Sequence, residues 1–307
     1  MSRNPRIMEF LEEVPVILGD GAMGTMLQRS GLAQGEAPEL WNVDHPERVL
    51  AVHCAYIDAG SQLIETNTFG GNRARLARHG LQGRAAEFNE AGARLARKAV
   101  GDSGVLVAGS IGPLGEFIEP LGTLTRAEAS EMFRLQAEAL VAGGVDFFLI
   151  ETMSDLSEVE AAVSGVRAAS GLPVAVTMTF DTNLHTMMGV SPSDAVTAIT
   201  GLGICLVGAN CGNGPDEMER VAAEMAEVSP PGTYLIAQSN AGLPQLRDGQ
   251  IHYDATPQAM ADHALRLLDL GVRVIGACCG STPEHIKAMR DALMLRTRPR
   301  PGNPRGF

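Results

Sequence analysis

Eight short apolar runs, each followed by an amphipathic stretch, recur along this chain. They are VILGD (16–20), QLIET (62–66), VLVAGS (105–110), VDFFLIET (145–152), VAVTMTFD (174–181), ICLVGANC (204–211), YLIAQSN (234–240) and VIGACCG (274–280). The intervening segments include PERVLAVHCAYIDAG, RAEASEMFRLQAEALVAGG and TPQAMADHALRLLDLG. Their apolar residues recur three and four positions apart, and several end in glycine, a common helix stop. Continuous apolar strands alternating with helices predict a parallel sheet covered on its outer face. Eight such units in about 280 residues predict an α/β fold, a (β/α)8 TIM barrel in a single domain. An open doubly wound sheet is the alternative. The barrel is expected over residues 1–295, with RTRPRPGNPRGF (296–307) as a loose tail.

Charge narrows the partners. The net charge of −12 and pI near 5.0 exclude nucleic acid and anionic membrane as natural ligands. The N-terminal MSRNPRIMEFLEEVPVIL carries acidic residues where a signal peptide needs an apolar run. No stretch approaches the ~18 apolar residues of a membrane span, so a cytoplasmic protein is expected. Five cysteines, Cys54, Cys205, Cys211, Cys278 and Cys279, are an odd number without export signals, and disulfides are not expected. Adjacent Cys278 and Cys279 are poorly placed to bridge each other.

In such a barrel, function sits at the C-terminal ends of the strands. Those ends carry Asp20, Glu65 with Thr66 and Asn67, Glu151, Asp181, Asn210 with Cys211, Asn240, and Cys278 with Cys279. Three cysteines on two strand ends suit zinc, which accepts tetrahedral thiolate ligands readily. The spacing from Cys211 to the pair is unlike a zinc finger, and buried core cysteines are the competing reading. Gly212, Gly276 and Gly280 let the backbone fold tightly enough for the thiols to converge.

The stretches DGAMGTMLQ (20–28), IETNTFGGN (64–72), GSIGPLGE (109–116), GANCGNGP (208–215), SNAGLP (239–244) and GACCGSTPEHI (276–286) resemble the homocysteine S-methyltransferase family. They fall in the family's order and cover nearly the whole chain. The likeness extends to the homocysteine-binding module of cobalamin-dependent methionine synthase and to stand-alone bacterial betaine–homocysteine methyltransferase-like proteins. The resemblance implies a (β/α)8 barrel holding zinc on Cys211, Cys278 and Cys279, with Asn240 filling the fourth position when substrate is absent. It implies a methyltransferase in which a homocysteine thiolate attacks an activated methyl group to form methionine. A free thiol is only a few per cent ionised at pH 7, whereas a metal-coordinating thiol is deprotonated outright.

The same resemblance assigns homocysteine to the Asp20–Gly21 turn and its ammonium to Glu151. Other roles for these residues are a helix N-cap for Asp20, a rim salt bridge for Glu151 and a turn position for Asn240. Cys54 and Cys205 are expected in the core. His53, His79 and His263 are expected at the surface or as satisfied core residues, Met187 and Met188 in packing, and Glu65 in the barrel interior.

For the methyl donor, the chain contains no Asp-x-His-x-x-Gly pattern, so no cobalamin is expected on this chain itself. A methyl-corrinoid on a separate protein is the favoured donor and betaine the alternative. Trp41 matches a tryptophan that betaine enzymes place against their donor, although it could instead pack a loop. Gly70 and Thr152 stand where the animal enzymes carry tyrosine, leaving Phe69 as a further aromatic; a quaternary ammonium prefers an aromatic cage. A different acceptor thiol or selenol, and a non-catalytic zinc- and thiol-binding barrel, are the remaining alternatives.

Overall fold

The computed structural model describes residues 6–247 and 250–297. Its strands are β1 (Ile17–Leu18), β2 (Leu63–Glu65), β3 (Leu106–Ile111), β4 (Phe147–Met153), β5 (Val174–Met178), β6 (Leu206–Cys211), β7 (Tyr234–Ser239), β8 (Gln245–Arg247), β9 (Gln250–His252) and β10 (Val272–Ala277). Eight of them form one sheet in the order β1-β10-β7-β6-β5-β4-β3-β2, and every pairing in it is parallel. β8 and β9 form a separate antiparallel hairpin after β7.

Pairing of β1 with β10 joins the first strand to the last, which an open doubly wound sheet does not do. The remaining seam, between β1 and β2, is stitched by Gln62 N–H donating to Leu18 O at 2.8 Å. The Gln62 side chain returns an acceptor to Leu18 N at 3.1 Å. The result is a nearly closed (β/α)8 barrel.

Side-chain alternation divides the core in two, because successive strand residues face opposite sides. Ile17, Leu63, Leu106, Ala108, Phe147, Leu149, Leu206, Ile236 and Val274 form one buried cluster inside the sheet. The N-terminal helix Arg6–Glu13 adds Ile7 and Leu11 to it, plugging the barrel from below. The residues between them, such as Leu18, Ile64, Val107, Phe148, Val207 and Ile275, join the larger cluster under the outer helices.

Helix starts follow local chemistry. Thr125 forms a capping box with Glu128 ahead of Arg126–Gly143, and Asp155, Ser191 and Thr256 cap later helices. No helix among the described residues is long and apolar enough to cross a membrane.

Several expected boundaries shift. Asp20 lies beyond the end of β1, and Cys278 to Gly280 lie beyond β10, in a turn rather than a strand. Cys205 precedes β6 instead of lying within a strand, and both it and Cys54 are only half-buried. The last helix, Pro283–Thr297, runs through the first two residues of the expected tail, because no proline or glycine breaks the sequence before Pro299. The remainder, 298–307, lies outside the described residues.

Candidate metal centre and substrate cavity

The inward-facing parity that is apolar low in the barrel turns polar at its top. Continuing upward from Leu63, Ala108, Leu149, Ala175 and Ile236, the same faces carry Glu65, Ser110, Glu151, Thr177 and Gln238; Asn210 does so on β6. These side chains interlock. Asn210 Oδ1 accepts from Thr152 N and from Thr177 Oγ1, both at 2.8 Å. Its Nδ2 donates to Thr152 Oγ1 at 2.7 Å and Glu151 Oε2 at 3.3 Å. Ser110 Oγ donates to Glu151 Oε1, and Gln238 Nε2 donates to Glu65 Oε1 at 2.6 Å. Above this layer opens a cavity of about 440 Å³.

Three thiols enter the cavity from the ends of β6 and β10, the two strands that flank β7. Cys211 ends β6 with φ of 61°, a left-handed conformation unusual outside glycine and typical of functional sites. Gly212 continues the left-handed turn. The Cys278–Cys279 turn is pinned by Cys278 N donating to Ser239 O at 2.7 Å and Ala241 N donating to Cys279 O at 2.9 Å. Gly280 has φ of 81°, and a Cβ there would meet the Tyr253 ring at 2.1 Å, so only glycine fits.

The Sγ atoms of Cys211, Cys278 and Cys279 lie within 4.8 Å of one another. A tetrahedral zinc with Zn–S near 2.3 Å spaces its sulfurs by roughly 3.8 Å, so the three thiols are close enough to share such an ion once Cys211 and Cys278, at 2.8 Å, part by about 1 Å. Hydrogen bonds from Cys211 and Cys278 push the Cys279 thiol down to about 3. Cys278 is pushed well up by its hydrogen bonds with Cys211 and Cys279 and by burial. For Cys211, the hydrogen bond with Cys278 pulls downward, but Cys279 and burial outweigh it and the thiol is raised. The trio thus holds one negative charge easily and resists the next two, a deficit that a divalent cation meets.

Beside the thiols stand three carboxyl groups. Asp20 is 2% and Glu151 7% exposed. Burial first, and then the neighbouring Glu65 charge, pushes both well above the ordinary carboxylate range. Burial also raises Glu65 itself. Such a group of acids calls for a cation. Asp20 caps no helix: its Oδ2 accepts from Glu65 N at 3.1 Å, and the cap position of helix Met23–Arg29 is Ala22. Gly21 lines the cavity, and a Cβ there would lie 2.5 Å from Ser281 Oγ.

A model of the homocysteine S-methyltransferase family matches residues 17–293. The chain belongs to the homocysteine S-methyltransferase family. It is 31% identical over 301 residues to methionine synthase of Mycobacterium tuberculosis, and 30% over 295 residues to methionine synthase of Mycobacterium leprae. These alignments take in 92% and 91% of this chain but 25% and 24% of the relatives, so the chain spans about a quarter of their length. The oxidised form of the Escherichia coli homocysteine methyltransferase MmuM superposes with a TM-score of 0.77 at 25% identity, covering 94% of this chain and 99% of that one.

Of the positions the family resemblance marked, Asp20, Gly21, Glu151, Cys211, Cys278 and Cys279 all line the cavity, as do Phe69, Gly70 and Thr152. Asn240 stands against the thiol turn. Its Nδ2 donates to Gly212 O at 2.6 Å, while its Oδ1 is buried with no hydrogen-bond partner among the described residues, an oxygen suited to an ion.

Trp41 departs from expectation. It is 2% exposed, donates from Nε1 to Glu36 at 3.2 Å, and packs edge-on against His45. The 3-10 turn Pro38–Leu40 runs straight into the helix Trp41–Asp44, which sets the indole in the packed core and brings Glu39 to the cavity instead. Met187 is 65% exposed and is not packing. His263 is a satisfied core histidine between Ser239 and Glu219, and His79 reaches the cavity.

Ser110, Gln238, Glu39 and Arg75 were not singled out by sequence as site residues. The first two were findable from the inward parity of their strands. The last two depend on loop geometry.

Proposed function

We propose that this chain is a zinc-dependent homocysteine S-methyltransferase. The observation that carries the reading is the opening of the Cys211, Cys278 and Cys279 thiols into the same cavity as three buried carboxyl groups. Cys211, Cys278 and Cys279 would hold the zinc, with Asn240 Oδ1 available to it. The ion, when bound, supplies a Lewis-acid site at which a thiol is deprotonated at neutral pH.

The chain's own residues do the rest. Glu151, oriented by Ser110 and Asn210, receives the homocysteine ammonium, with Asp20 and Glu65 completing the negative pocket. The Asp20–Gly21 turn receives the carboxylate through backbone N–H groups, because the absence of a side chain at Gly21 allows close approach. Held at both ends, the amino acid presents its sulfur to the donor methyl. A new S–C bond forms, the bond from the methyl to the donor breaks, and the donor keeps that electron pair. Methionine results, and no general base is needed once the thiol proton has gone.

For the donor we favour a methyl-corrinoid carried outside this chain. Phe69 is the one Phe, Tyr or Trp among the described residues lining the cavity, which is poor provision for caging the quaternary ammonium of betaine. Zinc-loaded protein is incubated with homocysteine and either a methylated corrinoid or betaine, and methionine is measured. Methionine from the corrinoid is the expected result. Methionine from betaine alone replaces the donor assignment. A folded protein that binds neither zinc nor homocysteine removes the function altogether and leaves a non-catalytic barrel.

A further inference from the structure

The cavity changes sign along its wall. Its floor carries Asp20, Glu65 and Glu151, whereas the segment following β2 contributes Arg75, Arg78 and His79. The Arg75 guanidinium lies over the Phe69 ring, 5.1 Å from its centroid. Its Nη1 is buried, and none of the described residues supplies it with an acceptor. A charged donor left without an acceptor in a desolvated position is unfavourable.

The nearby Glu39 does not resolve this. Glu39 Oε1 is taken by Gly70 N at 2.6 Å, and Glu39 forms no hydrogen bond to the guanidinium. Burial lowers Arg75 from its usual value even though Glu39 opposes that shift. Arg78 and His79 are exposed, whereas Asp20 and Glu151 are buried and Glu65 and the three thiols are half-buried. The cationic group therefore sits toward the rim, on the side from which a second substrate arrives.

We propose that Arg75, flanked by Arg78 and His79, forms an oxyanion subsite that receives the negatively charged group of the methyl donor. This rests on the reading of the thiol centre as the homocysteine site. Guanidinium chemistry fits a carboxylate or a phosphate in bidentate fashion. The carboxylate of a small methyl-onium zwitterion and the phosphodiester of a corrinoid share that chemistry. Binding draws the donor down over the acceptor sulfur, with the positive rim and negative floor fixing its orientation.

Two probe pairs separate the sources: glycine betaine against choline, which lacks the carboxylate, and hydroxocobalamin against cobinamide, which lacks the nucleotide phosphate. Each is titrated calorimetrically into zinc-loaded protein with methionine in the acceptor site, so that no turnover follows. The anionic member of one pair is expected to bind more tightly than its partner. Its affinity should fall roughly ten- to a hundred-fold in Arg75→Gln and return in large part in Arg75→Lys. Homocysteine affinity and zinc content, measured on the same preparations, should not change.

Equal affinity within both pairs, equal binding to wild type and Arg75→Gln, or no binding of either anionic probe overturns the subsite. Failure of the wild type to bind homocysteine instead overturns the reading beneath it. Thermal melting checks that Arg75→Gln is folded. Should it not fold, the exposed pair Arg78→Gln with His79→Gln gives the same test, expected to weaken the anionic probe several-fold.

Discussion

Cys211 and Cys278, 67 positions apart in the chain, bring their Sγ atoms to 2.8 Å. Neither strand could achieve this alone. Parallel register between β6 and β7 places Cys211 opposite Ser239, and register between β7 and β10 places Ala277 opposite Ser239 as well. Ser239 is thus the common rung from which both thiols are levelled. The site is a property of the sheet.

Replacing Cys211, Cys278 or Cys279 with Ser should each strip zinc to background and abolish methionine formation. Cys54→Ser and Cys205→Ala should keep wild-type metal content, because both lie outside the cluster. Metal analysis of purified variants decides the matter, and full zinc in any of the first three removes that residue from the site.

Glu151→Ala leaves the ammonium without its ionic partner and the Asn210 amide without one acceptor. Homocysteine affinity should drop roughly ten- to a hundred-fold, the worth of a charged hydrogen bond, while zinc content stays the same. An unchanged dissociation constant by calorimetry would refute the assignment.

His53 is fully buried and neither ring nitrogen has a hydrogen-bond partner among the described residues. Burial pushes it from 6.5 down to about 4. The unfolded chain therefore takes up a proton that the native state refuses. Its contribution to stability is complete above about pH 6.5 and is lost as pH falls toward 4, amounting to about 3 kcal/mol. His53→Leu should flatten that part of the stability profile by about one proton. Denaturant unfolding between pH 4 and 7 measures it, and parallel profiles for the two proteins would disprove a neutral buried imidazole.

Gly280→Ala forces a side chain into a left-handed turn, at a cost of about 1–2 kcal/mol, and drives a Cβ into the Tyr253 ring. Unfolding free energy should fall by more than the backbone cost alone. In a Tyr253→Ala background the same change should cost less. Additivity between the two substitutions, read from a double-mutant cycle, would show that the ring contact does not matter.

The barrel was legible because its signal is repeated: eight apolar runs and eight helical segments agree, and shifting any one boundary leaves the count intact. The clustering of Cys211, Cys278 and Cys279 was legible through the family likeness and because they lie at or just past strand ends, where topology decides proximity. Trp41 was not. Its placement depends on how a 3-10 turn hands over to a short helix, and sequence pattern carries little information about which way such a junction rotates a side chain. Arg75 was missed for a related reason. An arginine two positions from Arg73 and three from Arg78 in a helical stretch reads as surface, and only the fold sets its guanidinium over the Phe69 ring.

The helix Arg6–Glu13 and the apolar inward residues beneath the polar layer leave the barrel sealed at one end. With homocysteine on the floor and the donor nearer the rim, such a vessel fills from the bottom and empties from the top. On the proposed reading the acceptor would load first, and methionine would stay behind the spent donor until that donor departs. The plug at the far end of the barrel, remote from every reacting atom, would thereby set the order in which substrates come and products go.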